Sequence, residues 1–274
     1  MVALCDTLEV SRAGYYAWQS AEDTVRRQRD RELTPLICDI FWQHKRRYGA
    51  RRVALELAAR GQPCGVDRVA RLMKILDLRA IQPQSYRPRT TRSDHSLGYS
   101  PNLLLDLPPP IDINCIWVGD ITYIPLRGHR FLYLAMLLDL CSRRIVGWKL
   151  DDHLMEPLVL DALQQAIRAR QPPPELIHHT DRGGQYAGHD YRGLLRRAAM
   201  RQSMSRKANC YDNAFIESCF GTIKTELEMT EYEDSHHAHR EIASDLAYYN
   251  YERRHSSLEY LTPAQFEARL AQDR

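Results

Sequence analysis

Length, composition and charge exclude several classes of protein. The chain has 274 residues and a formal net charge of +3 at pH 7, which suits one sizeable domain and a smaller module at about 100–150 residues per domain. The longest apolar run, residues 131–138, is much shorter than the roughly 20 residues that cross a bilayer, and the first residues do not resemble a secretory signal. We therefore expect a cytoplasmic protein that does not bind membranes. Seven scattered cysteines without a C-x-x-C pair predict neither disulfides nor a zinc site, so we expect them to be reduced and mostly small apolar fillers.

The charge is divided unevenly along the chain. Residues 1–100 carry a net charge of +7, and residues 101–274 carry a net charge of −4. A basic segment is the usual electrostatic footprint of a nucleic-acid-binding surface. We therefore expect the first part to bind nucleic acid and the acidic part to be where cations bind.

Residues 31–78 have apolar side chains at helical spacing. Gly61 and Pro63 interrupt this pattern and leave two short helices around a glycine-containing turn, which is typical of a helix-turn-helix. We assign residues 1–81 to this module, and the alternative is a helical bundle whose arginines are merely solvated. The arginines of the module that we expect to contact DNA are Arg51, Arg52, Arg68 and Arg71.

Residues 82–111 form the predicted linker. They contain six prolines and no clear period, so we expect an extended segment. Arg87, Arg89 and Arg92 would then lie along a phosphate backbone.

The pattern changes to strand after residue 112. Three segments rich in β-branched and aromatic residues follow one another with short connections, which predicts an antiparallel three-stranded meander. Helices and strands then alternate, so we predict an α/β core at residues 112–230 with a mixed five-stranded sheet flanked by helices, followed by a helical extension at residues 231–274. The predicted strands are residues 115–124, 131–138, 144–150, 175–179 and 201–205, and the predicted helices are residues 156–169, 189–199 and 211–228.

Asp120 interrupts an otherwise apolar strand. A carboxylate buried in such a strand costs several kcal/mol unless a positive partner meets it. We predict that the partner is a metal ion. In the alternative, the strand lies at the edge of the sheet, where Asp120 and Thr122 share a face and simply meet water.

Asp181 comes directly after the predicted strand at residues 175–179 and is followed closely by two glycines. Ligands gather at the carboxyl ends of strands in open α/β sheets, and glycines let backbone approach a substrate closely. His178 and His179 point to opposite faces of that strand, so at most one of them could face such a site. Packing or DNA contact is the favoured interpretation for both histidines, ahead of metal ligation.

Glu217 lies in the last predicted helix of the core, which Asn209 can cap. At 100° per residue, Asn213, Gly221 and Lys224 lie within about 40° of it on the helix surface. A glycine inside a helix costs about 1 kcal/mol relative to alanine, so Gly221 indicates the close approach of a ligand or of another backbone. A solvent-exposed Glu–Lys face is the alternative, but it does not account for the glycine.

Asp120, Asp181 and Glu217 together offer only oxygen ligands, with 35 residues between the last two. Such ligands favour Mg²⁺ or Mn²⁺ over zinc. Two ions about 3.5–4 Å apart can activate a water or a 3′-hydroxyl and stabilise the leaving oxygen of a phosphodiester. Lys224 would then meet a neighbouring phosphate. The competing acids are Asp139, which ends a strand before a tight turn, Asp212, which is better placed as a helix cap, and Asp151 and Asp152.

The chain resembles the integrase-like OrfB part of transposases of the insertion-sequence-three family, a branch of the DDE superfamily. The similarity covers nearly the whole chain, with mild departures at Thr180, Gly184, Cys219 and Glu259. The segments that carry it are residues 117–123 (WVGDITY), 138–148 (LDLCSRRIVGW), 179–186 (HTDRGGQY) and 209–214 (NCYDNA), with Glu217, Ser218 and Lys224, a start at residues 48–52 (YGARR), and the later Tyr249, Asn250, Arg253, His255, Leu258, Thr262 and Pro263.

The resemblance implies a ribonuclease-H-like core shared with retroviral integrases, in which Asp120, Asp181 and Glu217 are the DDE triad. Lys224 would be the lysine that typically follows the glutamate by seven residues. The cofactor implied is Mg²⁺ or Mn²⁺, as two ions, and the setting is the prokaryotic nucleoid. The residues expected to contact DNA are Lys224, Asn213, Gly221 and Arg182, together with Arg51, Arg52, Arg68 and Arg71 of the helical module.

The implied reaction is metal-dependent phosphodiester hydrolysis and strand transfer at insertion-sequence ends, with target DNA as the second DNA partner and a homo-oligomer assembled on DNA. The family's full transposase is usually a frameshift fusion with an upstream helix-turn-helix and leucine zipper, and this chain begins without that segment. We therefore expect the second reading frame, which would need an upstream OrfA-type subunit. The alternatives are a nuclease of the same fold that does not join strands and a DNA-binding regulator with an idle core. The roles of Tyr249, Asn250, Arg253 and His255 stay open between DNA contact and a structural helix end.

Overall fold

The computed structural model divides the chain into two compact units, residues 1–81 and residues 82–274. The first coincides with the predicted helical module. No helix among the described residues is long and apolar enough to cross a bilayer. The residues that the structure describes are 7, 10–19, 24–82, 98–105, 107–128, 130–205, 214–227 and 231–273.

The first unit is helical where the structure describes it. Helix α1 spans Arg12–Gln19, α2 spans Val25–Gln43, α3 spans Ala50–Ala59 and α4 spans Val66–Ile75. The last three pack around a shared apolar core, because the side chains at helical spacing face one another. The buried side chains of this core include Leu33, Ile37, Ile40, Phe41, Val53, Leu57, Val69 and Leu72.

The second unit is built on a five-stranded sheet in the order β3-β2-β1-β4-β5. Its strands are β1 at Ile116–Leu126, β2 at Arg130–Asp139, β3 at Ile145–Asp151, β4 at Ile177–Thr180 and β5 at Arg201–Met204. Strands β1 to β3 form the predicted antiparallel meander, and β4 and β5 pair in parallel beside β1. This order and these directions are those of a ribonuclease-H-like fold, which confirms the predicted fold class.

Helices cover both faces of the sheet. Helix α5 at Glu156–Arg170 and helix α7 at His189–Arg197 pack on one face, and the short helix α6 at Gly184–Ala187 joins β4 to α7. Helix α8 at Ala214–Glu226 packs on the other face, together with helix α9 at Ser235–Tyr251. Because residues alternate along a strand, neighbouring side chains of β1 enter different apolar cores.

The C-terminal residues are integrated with the core. Ala238, Ile242, Leu246 and Tyr249 of α9 lie in the same apolar cluster as β1, β2 and α8. A 3-10 helix at Ser256–Leu258 follows, and the chain then forms helix α10 at Pro263–Gln272 with a capping box at its start. The C-terminal extension therefore contributes apolar side chains to the core of the second unit.

Several local predictions fall outside the described residues. The linker residues Arg87, Arg89 and Arg92 are among them, as are Asn209 and Asp212 at the predicted helix cap. One prediction is wrong: of the five described cysteines, all are free, but Cys219 alone is buried and Cys115 is exposed. Most of the described cysteines are therefore not fully buried apolar fillers.

Candidate active site

The pairing of β1 with β4 places two of the predicted acids side by side. Gly119 of β1 lies opposite Thr180 of β4 in parallel register. The next residue is Asp120 within β1 and Asp181 just after the end of β4. The two acids therefore lie side by side. The two positions are 61 residues apart in the chain, and the strand register alone brings them together.

Asp120 is half-buried on the face of β1 that α8 covers. Burial raises the pKa of the Asp120 carboxyl well above its usual range, and the charges of Asp181 and Glu217 raise it further. A hydrogen bond from the Ile121 amide at 2.8 Å and the charge of Lys224 oppose this rise. The structure thus brings all three predicted acids and the predicted lysine into one electrostatic neighbourhood.

Asp181 is held by the turn that follows β4. Its Oδ1 accepts a hydrogen bond from the Gly183 amide at 2.9 Å. The next side chain, Arg182, donates from Nε to the Ser205 carbonyl at 2.7 Å, and its guanidinium carbon lies 4.6 Å from the Tyr99 ring centroid. Arg182 therefore links the end of β4 to neighbouring segments, and its contact with DNA remains a prediction.

Glu217 is exposed near the start of the described part of α8. The protein around it still desolvates the carboxylate enough to raise the pKa of Glu217. The apolar side chains Ile216, Phe220 and Ile223 recur at helical spacing on α8 and are buried in the core. Burial of that stripe turns the Glu217 face of the helix away from the core.

Lys224 and Gly221 lie on the same face of α8 as Glu217. Burial lowers the pKa of Lys224, and the nearby Asp120 counteracts that shift. A Cβ placed on Gly221 would meet no atom of the described residues within 4 Å, so packing against another backbone does not explain this glycine. Asn213, predicted on the same face, lies outside the described residues.

The three acids could hold divalent metal ions. They offer carboxylate oxygens alone. Burial raises the pKa of Asp120 most, and a bound cation would relieve the repulsion from the other two acids that adds to this rise. The ligand atoms of the three acids do not all lie within 4.8 Å of one another. In the part of the chain that the structure describes, the ligand atoms of Asp151, Asp152 and His153 do meet this limit. A wider triad suits two ions about 3.5–4 Å apart, because no single ion then has to contact all three carboxylates.

The two histidines beside the site are packing residues. His178 and His179 are both buried. The Nε2 atom of His178 lies 2.6 Å from the Tyr191 hydroxyl, and Nδ1 of His179 lies 2.7 Å from Oγ of Ser203. Burial lowers the pKa of His178 to about 3, so its imidazole is neutral at pH 7.

The acid Asp139 has a structural role in the turn between β2 and β3. It is fully buried and accepts hydrogen bonds from the amides of Asn114, Cys141 and Ser142 at 2.6, 3.0 and 2.9 Å. These three bonds satisfy its carboxylate. The structure therefore supports the interpretation that Asp139 belongs to the turn.

Tyr186 is a neighbour of the site that sequence reasoning missed. It is buried in α6, and burial raises its pKa well above the usual range, with smaller contributions from Asp120, Tyr191 and Asp181. Nothing in the sequence spacing of Tyr186 indicates that it lies near Asp120. The proximity arises because α6 follows β4, which pairs with β1.

The arginines predicted to bind DNA in the helical module differ in their surroundings. Arg51 is exposed on α3. Arg52 lies over the Tyr48 ring, 5.5 Å from its centroid. Arg71 donates to Asp30 at 2.6 Å, and Arg68 lies 3.7 Å from the same carboxylate. Phosphate would therefore compete with Asp30 for Arg68 and Arg71.

Family models match both units of the chain. A model described as an integrase core domain matches residues 113–210, and a second model with that description matches residues 198–263. A model described as an HTH-like domain matches residues 28–86. With the ribonuclease-H-like sheet, these matches define the class of the protein, which is that of transposases and integrases, the polynucleotidyl transferases of DNA recombination.

Two curated relatives narrow the class to a family. The uncharacterized 31 kDa protein of insertion element IS600 in Shigella sonnei is 40% identical over 271 residues, which cover 98% of this chain and 99% of the relative. The transposase InsF for insertion sequence IS3A in Escherichia coli strain K12 is 38% identical over 273 residues, covering 97% and 93%. The chain belongs to the IS3 family of transposases, and the resemblance found in its motifs is confirmed.

Solved structures show weaker similarity. The simian T-cell lymphotropic virus intasome in complex with PP2A regulatory subunit B56 gamma is 18% identical, with a TM-score of 0.49 and coverage of 78% of this chain and 70% of that chain. The HTLV-2 integrase catalytic core domain in complex with magnesium, in a dimeric form, is 19% identical, with a TM-score of 0.45 and coverage of 57% and 97%.

Proposed function

We propose that this transposase cleaves DNA at insertion-sequence ends and joins the freed strand to target DNA, with Asp120, Asp181 and Glu217 as its metal-binding triad. The observation that carries this proposal is the β1–β4 register, which sets Asp120 level with Asp181 beside the helix α8 that carries Glu217 and Lys224. The family membership supports DNA transposition as the reaction. The proposed site identifies the residues that would carry out this reaction.

The triad would hold two Mg²⁺ or Mn²⁺ ions through carboxylate oxygens alone. When bound, such ions activate the attacking hydroxyl or water and stabilise the leaving oxygen of the phosphodiester. The chain's own contribution is to fix Asp120 and Asp181 through the β1–β4 register and to present Glu217 from α8. Because Asp120 is half-buried beside two other acids, its carboxylate is strongly biased toward gaining a cation.

Lys224 and Gly221 are proposed to line the DNA side of the site. The ammonium of Lys224, on the same helix face as Glu217, would meet a phosphate next to the reacting one. The open space at Gly221 would let a DNA backbone come close to α8. Asn213 and Arg182 are the further contacts proposed for this region.

An assay with labelled element ends tests the catalytic proposal. Purified protein, alone and with an upstream OrfA-type subunit, receives the labelled ends, a target duplex and Mg²⁺ or Mn²⁺. Joined strands support transposition, and cutting without joining would instead support a nuclease. Asp181→Asn and Glu217→Gln should each abolish the chemistry, while Glu241→Gln, at an exposed site on α9, serves as the matched control. Unchanged activity in the first two variants would refute the triad.

DNA binding by the helical module is proposed to depend on Arg51 more directly than on Arg71. Arg51→Ala should weaken binding to any duplex and lower the slope of log affinity against log salt by about 1. Arg71→Ala should change the slope less, because Arg71 already pairs with Asp30. Equal slopes for wild type and Arg51→Ala would show that Arg51 does not contact the DNA phosphates. Stable DNA binding without chemistry under either metal would favour the regulator with an idle core.

We further propose that the protein forms a homo-oligomer on DNA, requires the OrfA-type subunit and is located at the nucleoid. Two DNA ends must be processed together for an element to move. Sedimentation of the protein on paired element ends, with and without the subunit, measures both requirements.

A further inference from the structure

We propose that Arg253 and Tyr249 are positioning residues that hold α8 in the orientation at which Glu217 faces the other two acids. This inference rests on the proposed function, because it concerns the metal site that Glu217 would complete. Both residues belong to the C-terminal motif whose role the sequence left open. The structure shows them at the end of α9, against the back of α8.

The first contact is a buried ion pair at the far end of α8. Nε of Arg253 donates to Oε1 of Glu226 at 2.8 Å, and the two side chains are only 9% and 11% exposed. Burial alone would lower the pKa of Arg253, but the charge of Glu226 and its hydrogen bond outweigh this and raise the pKa. The Arg253 guanidinium is held on its other side by His255, with Nη1 and Nδ1 3.3 Å apart.

The second contact lies nearer to the active-site end of the helix. Tyr249 of α9 and Cys219 of α8 lie in the same apolar cluster. The Tyr249 hydroxyl also counteracts the rise that burial causes in the pKa of the Cys219 thiol. Both residues are buried, at 5% and 4% exposure. The Arg253 guanidinium carbon lies 5.7 Å from the Tyr249 ring centroid, so the two contacts share one packed cluster.

Helix geometry shows why these contacts bear on Glu217. At 100° per residue, Cys219 and Glu226 lie about 200° and 180° from Glu217, which places both on the opposite side of α8. They are separated by seven residues, or about 10 Å along the axis. Two contacts at that separation on one side of a helix resist both rotation and tilt, and rotation of α8 would move Glu217 sideways relative to Asp120.

The same burial argues against direct DNA contact by these residues. Arg253 is 7% exposed and Tyr249 is 5% exposed, so a phosphate could not reach either without displacing α8. Asn250 is also committed to the core, since its amide bonds both the Ile145 amide and the Ile145 carbonyl at 2.9 Å. This part of the motif therefore acts on the fold, and through α8 on the site.

The test uses the full chain and compares variants at the ion pair with a control elsewhere. Arg253→Lys and Glu226→Gln alter the contact to α8, and Tyr249→Phe removes the hydroxyl while keeping the ring. Arg170→Lys is the control, because Arg170 of α5 forms a comparably buried ion pair with Glu267 of α10 at 2.8 Å. Mn²⁺ alone is titrated by calorimetry, and hydrogen exchange of the α8 amides is followed in parallel.

We expect Arg253→Lys and Glu226→Gln to weaken Mn²⁺ binding about tenfold, the lower end of what partners outside the ligand shell contribute. Exchange at the α8 amides should quicken, and Tyr249→Phe should move both readouts in the same direction by less. Arg170→Lys should lower the melting temperature and leave both readouts unchanged.

Three outcomes bear on the proposal. Loss of stability in the α8 variants with unchanged Mn²⁺ affinity and unchanged α8 exchange would overturn it, since the cluster would then merely stabilise the fold. If Arg253→Lys does not fold, the nearly isosteric Glu226→Gln decides by the same two readouts. If the wild type binds no Mn²⁺, the proposed metal site fails separately, and the α8 exchange comparison still accepts or rejects the positioning role.

Discussion

Gly119 and Thr180 face each other across the parallel strands β1 and β4, and this pairing sets Asp120 level with Asp181. His178, two residues before Thr180, covers Gly119 from the same face. The proposed metal site thus depends on the close packing of a glycine against a buried histidine. That dependence can be tested without touching an acid.

Gly119→Ala should destabilise the protein and impair its chemistry. The new Cβ would lie 2.9 Å from Cε1 of His178, and His178 cannot move cheaply because it is fully buried and bonded to Tyr191. Overpacking of this kind costs about 1–3 kcal/mol. Urea unfolding and strand cleavage measure the two effects, and a variant as stable and active as wild type would contradict the packing argument.

Gly221→Ala should have the opposite effect on stability. Its Cβ would enter open space among the described residues, and alanine is favoured over glycine inside a helix by about 1 kcal/mol. We expect a higher free energy of unfolding together with weaker DNA processing, because the added methyl group would stand where the DNA backbone approaches. A stabilised variant with full activity would show that Gly221 is not needed by the ligand.

Asp120→Asn should abolish activity and yet stabilise the protein in the absence of divalent ions. The raised pKa of Asp120 means that its ionised form is disfavoured in the fold, so at pH 7 the free carboxylate lowers stability. Removing that charge should therefore raise the free energy of unfolding.

Adding Mg²⁺ should reverse the comparison between wild type and Asp120→Asn. A bound ion stabilises the folded state by about 2.7 kcal/mol at a concentration 100-fold above its dissociation constant, and the variant should lose most of this gain. Thermal unfolding with and without Mg²⁺ measures both effects. Equal Mg²⁺ stabilisation of the two proteins would place the ion elsewhere.

Glu267→Gln should cause a loss of stability that depends on pH. Burial would raise the pKa of Glu267, but hydrogen bonds from Arg170 and Arg144 outweigh it and hold the pKa below its usual value. A depressed acid pKa contributes stability above the unfolded value of about 4.3, and that stability is lost as the pH falls through the folded value. The deficit of Glu267→Gln should therefore be about 3–5 kcal/mol near pH 7 and shrink below about pH 4.

Glu259→Gln is the matched control for this titration. Glu259 pairs with Arg269 at 2.7 Å, but the side chains are 76% and 41% exposed. An exposed pair contributes at most about 1 kcal/mol. A loss of stability in Glu267→Gln that does not depend on pH, or an equal loss in both variants, would contradict the role assigned to the buried ion pairs of Glu267.

Sequence patterns were sufficient to predict the strands and the helices and to propose the three acids. The alternation of β1 and the apolar stripe of α8 are local consequences of periodicity, so they could be read from one segment at a time. An acid inside an apolar strand and a glycine inside a helix are unfavourable for the element that contains them. Such residues are expected at functional positions. The family motifs added the reaction, because they join these positions into one pattern.

Other features needed the tertiary structure because they join distant segments. Asp30 against Arg71, Tyr186 beside Asp120 and Arg253 against Glu226 are pairs that no spacing predicts. Burial distinguishes a DNA contact from a structural contact. Arg253, for which DNA contact was one alternative in the sequence, is the buried partner of Glu226. The sequence by itself determined the family of this transposase and the acids proposed for its chemistry. The tertiary structure decided what holds those residues in place, because burial and charge pairing depend on segments far apart in the chain.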